Sequence, residues 1–165
     1  MEIASALLTL AQVAVGLIGF SSVLVALSGE PSKWSPLDSY RIKGMLASSI
    51  CLLLLSLAPF LLSFLRVEDQ TVWRCSAGLV AVFLIIGMIA NGRSYLRLSD
   101  SSRAATRPPF VWSIYVVGLI VLIAESAAAL GLLASPDGTF FLGLFFILVL
   151  ASYLIVRFLF ARPNR

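Results

Sequence analysis

Five long apolar segments, separated by short polar connections, run through almost the whole sequence. They lie at residues 3–27, 42–65, 72–90, 110–134 and 140–160. An apolar helix of about 20 residues is long enough to cross a bilayer. The pattern therefore predicts an all-α membrane protein, built as a single transmembrane domain over residues 1–165 with a bundle of five helices.

Two of these helices are predicted to extend beyond their apolar segments. Residues 35–38, Ser-Pro-Leu-Asp, combine an N-cap serine, a proline at the first helical position and an acid three residues after the cap. Helix two should therefore begin before it enters the membrane. The third helix should continue past its apolar part, because Arg93 and Arg97 are spaced to share one helix face at the membrane surface. Residues 135–139 are predicted to form a tight turn between segments four and five.

The positive charges fall mostly on one side of this five-span arrangement. Ten of the twelve Lys and Arg residues lie in the connections after spans one and three or at the C-terminal end, against Arg66 and Arg74 on the other side. Cytoplasmic connections are enriched in Lys and Arg, so the asymmetry predicts an external N-terminus and a cytoplasmic C-terminus. Six of these cations are expected to set the topology and to contact lipid headgroups: Arg41, Lys43, Arg93, Arg97, Arg107 and Arg157.

Composition supports the membrane assignment and narrows the chemistry. Hydrophobic residues make up 60% of the chain and charged residues 12%, and the mean hydropathy of +1.03 lies far outside the soluble range. The chain has no histidine, which argues against a metalloenzyme or a haem carrier. No cofactor is expected. Cys51 and Cys75 are interpreted as buried thiols rather than a disulfide, because the order of segments puts them at different depths.

Motifs for enzymatic chemistry are missing from the sequence. There is no Gly-rich phosphate loop, no G-x-S-x-G and no H-E-x-x-H, so the chain is not expected to be an enzyme. The cations are spread over membrane-proximal connections, which does not favour a nucleic-acid partner. The expected partners are membrane lipids, further copies of the chain, or other membrane subunits.

Glu125 is the only charged residue deep inside an apolar segment. An acid at such a position costs on the order of a few kcal/mol on insertion, and burial favours its neutral form. No Lys or Arg lies at its depth in the predicted topology. One interpretation makes Glu125 a functional intramembrane site; the other makes it a structural acid that is protonated and hydrogen-bonded to Gln12.

Other polar groups are predicted to share the depth of Glu125. Counting from the outer ends of the spans at ~1.5 Å per residue, Gln12 and Ser56 each lie about nine residues in, as Glu125 does. Pro59 cannot donate to the carbonyl one turn before it, which would leave an acceptor beside Ser56. Glu125, Gln12, Ser56 and Pro59 are therefore predicted to form one intramembrane polar site.

Small residues recur at helical spacing in three of the spans. Such residues let membrane helices approach closely, and the alternative to a polar site is that these stripes only pack the helices together. The predicted packing residues are Gly16, Gly19, Ser22, Ser49 and Gly118.

Part of the sequence resembles a known pattern. Residues 12–21 (QVAVGLIGFS), followed by residues 34–38 and Arg41, resemble a pattern in small, uncharacterised bacterial polytopic membrane proteins. The resemblance covers the first two spans and implies a bacterial source, and with it the cytoplasmic (inner) membrane. It implies no particular activity.

Two functional hypotheses follow from the sequence. The first is a homo-oligomeric channel or small transporter for a cation or proton, with Glu125 as its intramembrane acidic site. The second is an accessory or assembly subunit of a larger membrane complex, without transport of its own. The short connections and the small-residue faces favour the second hypothesis, and the isolated acid favours the first.

Overall fold

The computed structural model describes residues 2–27, 34–105 and 108–160, in which nearly every residue is helical and no strand occurs. The helices, numbered in chain order, are α1 (Glu2–Leu27), α2 (Pro36–Ser63), α3 (Asp69–Leu96), α4 (Asp100–Ala105), α5 (Pro108–Ala129) and α6 (Pro136–Phe160). The short helix α4 was not predicted from the sequence, because its polar residues carry no apolar period.

Five of the described helices are long and apolar enough to cross a membrane. The most apolar window of each has a mean hydropathy between 2.0 and 2.6 and holds no more than two charged residues. Only 22–39% of the residues in these windows are buried inside the chain, which leaves a largely apolar outer surface suited to lipid. The prediction of an all-α protein with five helices of membrane-spanning character is confirmed.

Helix α2 begins where its capping signal predicts. The Asp38 backbone N–H donates to Ser35 Oγ at 3.1 Å. In return, Asp38 Oδ2 accepts from the Ser35 hydroxyl at 2.8 Å and from the Ser35 N–H at 3.3 Å. This reciprocal arrangement satisfies donors that the first helical turn leaves open. Helix α3 likewise continues past residue 90 to Leu96, with Arg93 in its last turn and Arg97 as its C-cap residue.

Helix α5 ends before residue 134, so the boundary drawn from the apolar pattern is wrong. Gly131 has a φ of +75°, a left-handed conformation that glycine adopts without strain. The Gly131 N–H donates to the Ala128 carbonyl at 3.0 Å, and the Leu132 N–H donates to the Ala127 carbonyl at 2.9 Å. These two bonds form a Schellman cap. The apolar residues beyond the cap belong to the connection and not to the helix.

Helix α6 begins at Pro136 rather than at residue 140, and the tight turn predicted there is wrong. The Ser135 carbonyl accepts from the Thr139 N–H at 3.3 Å and from the Thr139 hydroxyl at 3.2 Å, so a helical turn has already started. Proline at the first helical position is favoured because its missing N–H has no intrahelical partner to lose. The same signal was recognised at Pro36.

The chain divides into two compact units. Unit 1 comprises Met1–Leu54 and Ile147–Arg165, and unit 2 comprises Leu55–Phe146. In unit 1, the end of α1, the first half of α2 and the end of α6 pack around a shared apolar cluster. Its buried members are Leu24, Ile42, Met45, Ile155 and Phe158.

In unit 2, α3 and α5 pack closely in antiparallel directions. A Cβ at Gly78, near the start of α3, would lie 3.6 Å from Ala129 Cβ at the end of α5. A Cβ at Gly92, near the end of α3, would lie 3.4 Å from the hydroxyl of Tyr115, which is early in α5. That hydroxyl also donates to the Met88 carbonyl at 3.4 Å. Contacts at both ends fix the register of the two helices.

Candidate functional site

Glu125 lies inside unit 2, in the second half of α5, and its side chain is completely buried. It is the one acidic side chain among the buried residues of the described chain. Neither carboxyl oxygen has a hydrogen-bond partner among the residues that the structure describes. Glu125 is therefore a closed carboxyl site and not an exposed charge.

One wall of this site is built by a glycine of α6. A Cβ at Gly143 would overlap Glu125 Oε1, and it would lie 2.7 Å from Val80 Cγ1 and 3.0 Å from Glu125 Cδ. Only glycine leaves room for the carboxyl group between α6 and α3. The site is therefore made by three helices: α5 supplies the acid, α6 supplies the space, and α3 closes it with Val80.

Aromatic side chains of α6 pack against other helices on both sides of Gly143. Phe140, one turn before it, is fully buried and lies against Trp73 of α3 with ring centroids 5.9 Å apart. On the other side, Phe146 packs where a Cβ at Gly118 would be, with its Cζ at 3.3 Å from that position. These apolar contacts of α6 flank the carboxyl along the helix.

The electrostatic surroundings of Glu125 suit a neutral carboxylic acid. The backbone of Gly143 is close enough to interact with the carboxyl, but its N–H does not form a hydrogen bond with either oxygen. An ionised carboxylate without a donor or a counter-charge costs several kcal/mol in a membrane interior. The described geometry can hold a proton, and holding a metal or a free anion there would need additional ligands.

The predicted polar neighbours of Glu125 lie in different places. Gln12 belongs to unit 1 and is exposed, and it lines a groove of about 330 Å³ between α1 and α2. Ser56 and Pro59 belong to unit 2 and are both buried, and α2 continues past Pro59 to its last residue, Ser63. None of these side chains forms a hydrogen bond with Glu125, whose oxygens have no partner in the described chain.

The predicted packing residues divide into exposed and buried sets. Gly16, Gly19 and Ser22 are exposed on α1, and a Cβ at either glycine would meet no described atom within 4 Å. Ser49 is fully buried and donates to the Met45 carbonyl at 2.9 Å within its own helix. Gly118 is buried and does allow the close contact with α6 described above. The α1 residues are available to lipid or to another chain.

The predicted headgroup cations are not equivalent. Arg41 is buried, with only 7% of its surface exposed, and Arg157 is half-buried and donates to the Tyr153 hydroxyl at 2.7 Å. Lys43, Arg93 and Arg97 are exposed, as expected of cations at a membrane surface. Of the Lys and Arg residues used for the topology, Lys33, Arg107, Arg162 and Arg165 lie outside the described residues.

Sequence reasoning found the acid but missed Gly143. The predicted depth of Glu125 was counted from residue 134, five residues past the end of α5, and segment five was drawn from residue 140, four residues past the start of α6. Glu125 lies four residues before the end of α5, at Ala129, and Gly143 lies seven after the start of α6, at Pro136. With those ends, a glycine in the interior of an apolar helix would have been a visible signal for close approach.

Comparison with known proteins adds no assignment. No family model, curated protein or solved structure matches this chain. The functional argument therefore depends on the geometry of the chain itself.

Proposed function

We propose that this chain is a small homo-oligomeric membrane transporter for a proton or another small cation, with Glu125 as the binding carboxyl group. The observation that carries the proposal is the complete burial of Glu125, with both oxygens unpartnered among the described residues. Acidic residues inside membrane segments are usually functional, because placing them there costs free energy.

The missing hydrogen bonds argue against a purely structural acid. A carboxyl group that holds helices together does so by donating to, or accepting from, a group on the neighbouring helix. Glu125 instead faces the bare backbone of Gly143 and the methyl group of Val80. Among the described residues only the Gly143 backbone offsets the desolvation of this carboxyl group, and in this proposal the acid is retained for its role in another state of the protein.

The closed site favours a transporter over an open channel. A channel places its carboxylates around a water-filled axis, where they attract cations continuously. Glu125 is enclosed by helices of its own unit, so an ion or a proton reaches it only when α6 and α5 separate. A bound state that must open by helix movement is a feature of an alternating cycle.

Oligomerisation supplies the surface that one chain lacks. Alternating access usually needs two repeats, and the five candidate membrane helices of the described residues are few for one chain to supply both. The exposed face of α1 carries Gln12, Gly16 and Gly19, which are residue types that pack membrane helices together. In this proposal, copies of the chain associate in a bacterial inner membrane.

The proposed topology has an external N-terminus and a cytoplasmic C-terminus. It is supported by the distribution of Lys and Arg, ten against two. A single cysteine introduced as Glu68→Cys, with Cys51 and Cys75 changed to serine, should react with a membrane-impermeant maleimide added outside intact cells. Labelling only after the membrane is opened would contradict this orientation.

The test of transport is proton flux into liposomes that contain the purified protein. The Glu125→Gln variant keeps the shape of the side chain and removes its proton exchange, so flux should fall by more than about ten-fold, as expected when an essential proton-transfer group is lost. Glu68→Gln is the matched control, because Glu68 is an exposed acid between α2 and α3. Equal flux for wild type and Glu125→Gln would contradict the proposal.

A second candidate function is an accessory subunit of a larger membrane complex. The observation that favours it is Gln12, an exposed amide on α1 that lines an otherwise apolar groove with Leu8, Ala11, Val15 and Leu53. An amide facing lipid is costly, and a partner helix would satisfy it. Purification of a stable, monodisperse homo-oligomer without other chains would count against this function.

A further inference from the structure

Among the described residues of unit 1, Arg41 is the most deeply buried cation. Only 7% of its surface is exposed, although it lies in the second turn of α2, near a helix end. No residue of the described chain forms a hydrogen bond or a salt bridge with its guanidinium. Buried charges are normally paired or hydrogen-bonded, so Arg41 requires an acceptor.

The charged neighbours of Arg41 do not supply that acceptor. Arg157, Asp38 and Tyr153 are within electrostatic range of it, and Arg157 repels it. The carboxylate of Asp38 is engaged by the hydroxyl and the N–H of Ser35. The one acid within electrostatic range of Arg41 is therefore already used in a helix cap.

Arg157 is held in position beside this group. Its Nη1 donates to the Tyr153 hydroxyl at 2.7 Å, and its guanidinium carbon lies 5.9 Å from the centre of the Tyr153 ring. Both residues are on α6, one turn apart. The contact orients a planar guanidinium at the end of unit 1 where Arg41 also lies.

Each of these two cations is next in sequence to a buried residue of the unit 1 apolar cluster. Ile42, the neighbour of Arg41, and Phe158, the neighbour of Arg157, are both buried in the unit 1 core. Trp34 packs against the same core, and its buried Nε1 has no hydrogen-bond partner among the described residues. Arg41 and Trp34 thus both supply donors at this end of unit 1.

We propose that Arg41 and Arg157 form a binding site for a phosphate group, presented by an anionic phospholipid headgroup or by free phosphate. Guanidinium groups match the oxygens of phosphate in pairs of parallel hydrogen bonds. A bound phosphate also removes the repulsion between the two cations. The site is independent of Glu125 and of the transport proposal, since all of its residues belong to unit 1.

The test compares variants of purified protein in a neutral detergent. Short-chain phosphatidylglycerol, short-chain phosphatidylcholine and inorganic phosphate are titrated separately, and bound ligand is counted by native mass spectrometry alongside the shift in thermal unfolding. Arg41→Gln and Arg157→Gln should each weaken binding by roughly ten-fold or more, the loss expected for a charged hydrogen-bonding partner. Lys43→Gln removes the same charge from an exposed position two residues from Arg41 and should change binding less than about two-fold.

Each outcome decides the question. Saturable binding of phosphatidylglycerol alone identifies a lipid site, and saturable binding of inorganic phosphate identifies a site for free phosphate; both support the proposal if the two arginine variants are weakened selectively. An equal loss in Lys43→Gln would show general attraction by positive charge and would overturn it. Absence of saturable binding to all three probes would overturn it as well. If Arg41→Gln does not fold, Arg157→Lys, which keeps the charge but loses the paired geometry, provides the same comparison.

Discussion

Glu125 in unit 2 and Arg41 in unit 1 are both buried and both ionisable, but their surroundings differ. Glu125 faces the backbone of Gly143 and the side chain of Val80, and no described side chain forms a hydrogen bond with its carboxyl group. Arg41 lies near a helix end within range of Asp38, Tyr153 and Arg157. The comparison shows two solutions to a buried charge: an acid can take up a proton and become neutral, whereas a guanidinium cannot and needs an anion.

The difference also determines what each group can do. A carboxyl that is neutral in a closed site gains a role when the site opens and the proton leaves. A guanidinium that stays charged can bind an anion in the described state, without a change of conformation. In the two proposals, Glu125 of unit 2 takes part in a transport cycle, whereas Arg41 of unit 1 binds a phosphate group in the described state.

The largest expected effect tests the wall of the Glu125 site. Gly143→Ala should destabilise the protein by about 1–3 kcal/mol, because the added methyl group meets Glu125 and Val80. Unfolding in mixed detergent and SDS micelles measures the change. Glu125→Ala combined with Gly143→Ala should recover part of the loss, since it removes the overlap with the Glu125 carboxyl group and leaves the close contact with Val80 Cγ1.

Gly87→Ala is the control for this effect. Gly87 is also in a helix of unit 2, but a Cβ there meets no described atom within 4 Å, so alanine should be neutral or stabilise by up to about 1 kcal/mol. Equal destabilisation by both alanines would show that Gly143 does not form a special contact.

The second expected effect is a gain in stability, and it tests the Glu125 carboxyl group itself. Glu125→Met replaces an unpartnered carboxyl by an apolar chain of similar length, and should stabilise the protein by about 1–3 kcal/mol while abolishing proton flux. Ile123→Met, on the exposed side of α5, should change stability by less than about 0.5 kcal/mol. Loss of stability in Glu125→Met would mean that the carboxyl has a structural partner.

The sequence contained the signals for the membrane architecture and for Glu125. Apolar length predicts the five spans, and a single acid among apolar residues is visible without a structure. The start of α2 was also predictable, because Ser35 and Asp38 form a cap from residues close in sequence. Local signals of this kind need no knowledge of the neighbouring helices.

The wall of the site was not predictable in the same way. Leu132 and Leu133 continue the apolar pattern beyond the end of α5, and hydropathy does not distinguish a helix from an apolar connection. The cap depends on one backbone conformation, at Gly131. When the ends of α5 and α6 are misplaced by a few residues, the residues of the two helices are paired at the wrong depth. Gly143 is then not recognised as the neighbour of Glu125.

A smaller loss of stability is expected when the helix cap that engages Asp38 is removed. Ser35→Ala removes both hydroxyl bonds of the cap and should destabilise the protein by about 1 kcal/mol. Ser135→Ala is the matched control at the start of α6, because the described bonds there use the Ser135 carbonyl and not its hydroxyl. The loss for Ser135→Ala should be smaller, and equal losses at the two positions would contradict the distinction between them.

The smallest expected change in stability is for a substitution of Arg41, and it tests the contrast with Glu125 most directly. In detergent without phosphate or phospholipid, Arg41→Met should change the free energy of unfolding by less than about 0.5 kcal/mol, the range of substitutions that break no specific contact. Methionine keeps the buried stem, and the lost attraction to Asp38 is offset by the lost repulsion from Arg157. Unfolding is measured beside Lys43→Met, which changes an exposed cation. A loss above about 3 kcal/mol, as when one partner of a buried ion pair is removed, would mean that an acid of the chain itself pairs with Arg41. The guanidinium would then need no external anion, and the contrast with Glu125 would be one of paired against unpaired charge.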